Sequence, residues 1–294
     1  MPSVLLSTWV EASLARDLGG LSLRDVLDRH HSDLWSQPDR PGHARLRVPL
    51  PKAAHAGVER RVDPLPHRPE FYDFDLLHRV EATPEFGRRP LRSLTFVVFD
   101  TETTGLNPVD DLVVSIAGVR IVNGRILTGE TFNCLVNPGR PIAKASTLIH
   151  RITDDMVRDR PPIAVVLPQF KAFVGKAVLV AHNIAFDLSF LKAQEESCGI
   201  RFDNPVLDTM LLSATLHEHA DDHTLDGLAR RFGIEVRDRH TALGDSMAAA
   251  AALVAMFDGL EGRGICTLQD AVRASRVAIE VRARQAELAS GARA

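Results

Sequence analysis

The pattern of apolar and polar positions changes character near residue 92. Downstream of it, short apolar runs alternate with longer stretches of helical spacing. Residues 94–100 end in Phe96-Val97-Val98-Phe99-Asp100, and Thr103, Thr104 and Gly105 follow closely. A brief β-branched and aromatic run bounded by a turn reads as a buried central strand. Strand-like runs at 112–120 and 125–135 flank Val122-Asn123-Gly124, where Asn-Gly marks a hairpin turn. Pro161-Pro162 opens a helix over about 160–175, and residues 178–181 read as a short buried strand. A helix over 186–198 closes at Gly199. Val206–Asp208 begins an element that runs into 209–216. Thr224 caps a helix that reaches Phe232 and stops at Gly233. An alanine-rich helix covers 242–257, and the capping box Thr267-x-x-Asp270 starts a C-terminal helix to about residue 289. Strands alternating with helices after an initial hairpin predict an α/β domain with a mixed sheet.

The first 91 residues differ. Helical spacing is present over 4–15 and 21–35, with Ser22 as N-cap. Residues 37–69 are crowded with proline, arginine and histidine and read as an extended, irregular wrap. Residues 71–80 suit a short helix. Trp9 and Trp35 offer bulky anchors, which implies partial order. The expected division is a mainly helical N-terminal extension over 1–91, an α/β domain over 92–260, and a C-terminal helix over 261–294.

Composition narrows the picture modestly. A hydrophobic share of 45% and a charged share of 25% are ordinary for a globular protein. A net charge of -3 leaves no basic footprint for sequence-independent duplex binding, so any nucleic acid must be held at a small site. Cys134, Cys198 and Cys266 lie far apart, which suits a reducing compartment and no zinc ribbon. The N-terminus lacks a basic n-region, and no apolar stretch looks long enough for a membrane span. The expectation is a soluble, cytoplasmic protein with no membrane partner.

Side chains at i and i+2 leave a strand on one face, so Asp100 and Glu102 converge where a hydrophobic strand ends. Two carboxylates there need a cation between them, and divalent metal ions are the obvious candidates. A second cluster, Ala181-His182-Asn183-Ile184-Ala185-Phe186-Asp187, lies where a strand gives way to a helix. Asn183 reads as the cap and Asp187 as a first-turn acid. A third, Arg239-His240-Thr241-Ala242-Leu243-Gly244-Asp245, opens the long helix. It sets a histidine outside the helix and an acid one turn inside, which suits a mobile proton acceptor beside a rigid metal ligand. His217, His219, Asp221, Asp222 and His223 read as a solvated connection between helices and not as a zinc site.

Taken together, D-x-E-T-T-G, H-N-x-x-F-D and H-x-x-x-x-D, in this order, resemble the DEDDh 3′→5′ exonucleases, the group that includes the proofreading epsilon subunit of bacterial DNA polymerase III. The resemblance covers about residues 94–258. It implies a ribonuclease-H-like fold in which Asp100, Glu102, Asp187 and Asp245 hold two divalent ions, Mg²⁺ or Mn²⁺, and His240 is the general base. Thr103, Thr104, Gly105 and Leu106 would line the pocket for the terminal nucleotide, with Leu106 against its base, and His182, Asn183 and Phe186 would shape the same pocket. Two positions depart from the family: Ser115 stands where many members carry glutamate, and Arg151 where glycine is frequent. The implied activity is release of nucleoside 5′-monophosphates from the 3′ end of single-stranded or frayed DNA, in proofreading beside a polymerase subunit or in repair. An RNA-trimming exonuclease and a catalytically silent binding module are the competing readings.

Overall fold

The computed structural model describes residues 23, 27, 35–40, 43–47 and 87–291 of the 294-residue chain. The chain divides into two compact units, residues 1–65 with 261–264, and residues 66–260 with 265–294. In the first unit Leu23 and Leu27 are helical. Strand β1 (Trp35–Arg40) pairs antiparallel with β2 (His43–Arg47). This corrects two expectations: Trp35 starts a strand and does not end a helix, and part of the proline-rich stretch is a hairpin. Pro38, which has no N–H to donate, sits where the pairing register shifts. The helices expected over 4–15 and 71–80, the Ser22 cap and the Trp9 anchor lie outside the described residues.

The second unit is built on a five-stranded sheet. Its strands are β3 (Thr95–Thr103), β4 (Val113–Val122), β5 (Arg125–Leu135), β6 (Val178–Ala181) and β7 (Val206–Asp208). Their order is β5-β4-β3-β6-β7, with β3 antiparallel to β4 and parallel to β6. The β4–β5 hairpin turns through Asn123 at φ 50° and Gly124 at φ 70°, the left-handed pair that an Asn-Gly turn supplies.

Nine helices are described around this sheet: α1 (Lys144–His150), α2 (Asp154–Val157), α3 (Ile163–Val174), α4 (Ile184–Ala193), α5 (Glu195–Cys198), α6 (Thr209–Leu216), α7 (Leu225–Phe232), α8 (Ala242–Gly262) and α9 (Leu268–Gly291). The helix expected over 186–198 is broken. It starts earlier, at Ile184, and bends at Gln194 (φ -104°, ψ -2°), after which Glu195 takes the N–H of Phe202 at 2.6 Å. Helix α8 is, among the described residues, the one helix long and apolar enough to cross a membrane, with 21 residues and a mean hydropathy of 1.4 in its most apolar window. This differs from the expectation that no apolar stretch is long enough for a membrane span. Runs of alanine give α8 its apolarity, and Ala250, Ala252, Leu253 and Phe257 of this helix are fully buried in the core.

The faces of β3 decide where the chemistry goes. Phe96 packs against Phe257 of α8 with ring centroids 5.9 Å apart, while Phe99 packs against Phe170 of α3 at 5.5 Å. Side chains alternate along a strand, so Asp100 and Glu102 emerge on the face that α8 covers, and Thr101 on the other. Phe96, Val97, Val98 and Phe99 are all fully buried. At about 1.5–3 kcal/mol for each such side chain, this strand is an anchor that holds the acids at its end in place. The register shifts between Glu102 and Thr103, whose partners are Ser115 and Val113. The skipped Val114 packs with Ile142, Ile152 and Val157 in a small cluster of its own. A bulge at this point turns the strand just past its second acid, as bulges beside active sites commonly do.

Candidate active site

Asp100 and Glu102 meet Asp245 from the first turn of α8. Ligand oxygens of the three carboxylates lie within 4.8 Å of one another, and all three residues are buried. Three buried carboxylates repel each other and are costly to desolvate, so the arrangement calls for a cation. Asp100 Oδ2 and Glu102 Oε1 are buried oxygens that accept no hydrogen bond. An all-oxygen, all-carboxylate donor set fits a hard divalent ion.

Asp187, in the first turn of α4, is fully buried and stands outside this trio. Its Oδ1 accepts the backbone N–H of Thr101 at 2.9 Å and the Thr101 hydroxyl at 2.6 Å. The fourth acid is thus bolted to the residue between the first two. His240 sits in the turn before α8, half-buried, at φ 63°. Both oxygens of Asp245 already have donors: Arg239 Nη1 on Oδ2, and the His240 N–H on Oδ1 at 3.3 Å. Gly244 lets this turn lie against the helix start, since a Cβ there would meet the Asp238 carbonyl oxygen at 2.2 Å.

The residues expected to hold a nucleotide fall on two loops. Thr103 and Thr104 are buried, and the Thr104 hydroxyl donates to Asp111 Oδ1 at 3.0 Å. Asp111 Oδ2 accepts the Asn107 N–H at 3.0 Å. A Cβ on Gly105 would meet the Asp111 carboxylate at 2.3 Å, so glycine is what allows this turn to close on its own acid. Leu106 is 44% exposed and projects as a bare apolar side chain. On the second loop, the half-buried His182 places Nδ1 3.0 Å from the Thr209 hydroxyl. Phe186 is fully buried with its ring 5.0 Å from that of Phe190, so it buttresses the loop from behind.

Asn183 occupies the N-cap position of α4 but its side chain makes no cap bond, contrary to expectation. It adopts φ 64°, and Asp208 does the capping from the end of β7. Asp208 Oδ1 accepts Asn183 N–H at 3.1 Å and Met210 N–H at 2.8 Å, and Oδ2 accepts Ile184 N–H at 3.0 Å. Burial pushes the Asp208 carboxyl up to about 6, against the opposite pull of these backbone donors. In the sequence, Val206–Asp208 reads as the start of an element running into 209–216, with no capping role for Asp208. An acid at a strand-to-helix boundary is an ordinary local cap, and nothing nearby in the chain shows that it also caps a helix 24 residues upstream. Thr101, Asp111 and Arg239 were missed in the same way.

The two departures from the family pattern have places as well. Ser115 is buried and is the cross-strand partner of Glu102. Arg151 ends α1 at φ 61°, a left-handed position where glycine would sit without strain. The polar connection at 217–223 is better ordered than expected. His223 is buried against the Ser213 hydroxyl at 3.0 Å, Asp222 accepts the Thr224 N–H and hydroxyl at 2.9 and 2.6 Å, and His217 packs its ring 5.8 Å from that of Phe232. No metal-holding group forms there among the described residues.

A mixed five-stranded sheet flanked by helices, with acids gathered at the end of its central strand, has the ribonuclease-H-like fold. The family model for exonucleases matches residues 97–253, more than half of the chain, and the chain belongs to that family. It is 47% identical over 272 residues to a DNA polymerase III subunit epsilon-like protein of Rhodobacter capsulatus, a match covering 89% of this chain and 38% of that protein. It is 40% identical over 175 residues to a PolC-type DNA polymerase III of Caldanaerobacter subterraneus subsp. tengcongensis, covering 60% of this chain and 12% of that one. The chain therefore spans well under half the length of these curated relatives. Among solved structures, exonuclease X in complex with 5′-overhanging duplex DNA is similar at a TM-score of 0.50 and 29% identity, over 61% of this chain and 99% of that one. Exonuclease I shares the fold at a TM-score of 0.50 and 21% identity, over 55% of this chain and 40% of its own.

Proposed function

We propose that this protein is a metal-dependent 3′→5′ exonuclease that removes nucleoside 5′-monophosphates from single-stranded or frayed DNA ends. The observation that carries the reading is the convergence of Asp100, Glu102 and Asp245, with His240 in the adjoining turn. Divalent ions, Mg²⁺ or Mn²⁺, held by these three carboxylates and by Asp187 would supply an activated water and neutralise charge on the scissile phosphate. His240 accepts the water's proton. It stands in the turn before α8, outside the helix itself and next to the acids. Thr103, Thr104 and Gly105 hold the terminal sugar and phosphate, His182 and Asn183 close the opposite wall, and Leu106 lies against the base. DNA is favoured because exonuclease X, whose whole length this chain matches, was solved with DNA. The names of the polymerase III relatives support a polymerase subunit as partner, in proofreading or repair.

The test is a time course on matched 5′-labelled single-stranded DNA and RNA with Mg²⁺ or Mn²⁺, beside Asp100→Ala. A ladder that shortens from the 3′ end on DNA, absent in the variant, supports the reading. Equal or preferred cutting of RNA moves the activity to RNA trimming. No shortening of either, with metal still bound, leaves a nucleic-acid-binding module.

A further inference from the structure

Arg239 holds a position that the exonuclease chemistry does not explain. Its guanidinium bridges two helices, donating Nε to Asp226 Oδ1 of α7 at 2.8 Å and Nη1 to Asp245 Oδ2 of α8. The Asp245 side chain is 7% exposed and that of Arg239 29%, so this pair is well shielded from water. Burial works against the guanidinium charge, but the two carboxylates push its pKa above the usual value all the same. The Arg239 charge therefore stays on, beside an acid of the metal-binding trio.

Both Asp245 oxygens carry a donor, Arg239 on one and the His240 N–H on the other. Whichever oxygen a metal ion takes, a positive or partly positive group from this one turn is already aimed at it. The turn is also strained. Asp238 and His240, on either side of Arg239, both lie in the left-handed region, at φ 53° and 63°. Neither is glycine, so each carries a conformational cost that something must offset. The clasp of Arg239 on Asp226 and Asp245 is in position to do so.

Resting on the exonuclease reading, we propose that Arg239 is an internal counter-ion for Asp245 that gives way to the divalent ion, so that metal occupancy sets the placement of His240. Without metal, Arg239 neutralises Asp245 and pins the turn. When an ion takes Asp245, Arg239 withdraws to Asp226, the His240 amide loses its acceptor, and the turn relaxes with the imidazole free to move. Arg239 is a positioning residue: it competes for a ligand and touches no reacting atom.

The experiment is a Mn²⁺ titration of the full chain without nucleic acid, by calorimetry and by the loss of the free-ion electron paramagnetic signal. It uses wild type, Arg239→Gln, and Arg237→Gln as a charge control, since Arg237 is exposed and pairs with Glu235. Arg239→Gln should bind Mn²⁺ about tenfold tighter, while Arg237→Gln should match wild type. Hydrogen exchange gives a second readout. The His240 amide should be protected in metal-free wild type, exchange faster once Mn²⁺ is added, and be fast from the start in Arg239→Gln. Unchanged or weaker Mn²⁺ binding in Arg239→Gln overturns the proposal, as does an equal gain in both variants. The exonuclease assay separates the two ideas. If wild type digests DNA while Arg239→Gln binds Mn²⁺ unchanged, the counter-ion role falls alone. If the binding and exchange results hold but no DNA is digested, the exonuclease reading falls alone.

Discussion

Asp187 takes both hydrogen bonds that Thr101 can give it, from the backbone N–H at 2.9 Å and the hydroxyl at 2.6 Å. Thr101 stands between Asp100 and Glu102, so this contact fixes the fourth acid relative to the other three. Thr101→Val keeps the shape of the side chain and the backbone bond but deletes the hydroxyl donor. Losing a donor to a fully buried carboxylate should cost about 1–3 kcal/mol of stability, read as a lower denaturant midpoint. Nuclease turnover should fall more than in a surface variant of equal stability, because Asp187 gains freedom to move.

His240 is half-buried in the turn before α8, outside the helix itself. His240→Ala should therefore leave the melting temperature close to wild type. Removing a general base should still cut DNA degradation by about a hundredfold or more. Wild-type-like rates would take His240 out of the mechanism.

The carboxyl of Asp208 has an ordinary value of 3.8 and is pushed up to about 6 in the fold. The folded chain thus holds this proton more tightly than the unfolded chain. The contribution of Asp208 to stability is full below the lower value and is lost as pH rises through the upper one, a change of about 3 kcal/mol. Asp270, whose carboxyl is lowered despite some burial because Thr267 donates to it, trends the other way. The measurement is therefore a difference between wild type and Asp208→Asn, by urea unfolding from pH 4 to pH 7. The gap should be widest at the acid end and narrow towards neutrality.

Arg151 closes α1 in a left-handed conformation at φ 61°, while its own N–H bonds the Thr147 carbonyl at 2.8 Å. Arg151→Gly keeps that bond and removes the strain on the Cβ. It should stabilise the domain by roughly 0.5–1 kcal/mol, visible as a raised melting temperature. If the Arg151 side chain also contacts substrate phosphate, KM for DNA will rise in the same variant.

What could be read from the chain follows the range of the interactions involved. The Asn123-Gly124 hairpin, the Thr224 cap and the Thr267–Asp270 box are local chemistry, and all three stand as expected. The same holds for β3, where four consecutive apolar side chains leave little alternative to a central strand. Of the four acids, the structure brings Asp100, Glu102 and Asp245 together and ties Asp187 to Thr101 instead. That distinction needs to know which face of β3 each helix covers, and no short-range pattern contains it. Asn183 shows the limit most clearly: the residue type says cap, yet the bond comes from Asp208 on another strand. Helix α8, expected over 242–257, starts where expected and continues to Gly262.

The trio of acids takes two members from the central strand and the third from a helix that starts well over a hundred residues later in the chain. A polypeptide still emerging from the ribosome carries Asp100 and Glu102 long before Asp245 exists. Any fragment cut short ahead of α8 lacks a corner of the triangle altogether. The order of synthesis therefore leaves the carboxylate triangle incomplete until α8 has been made.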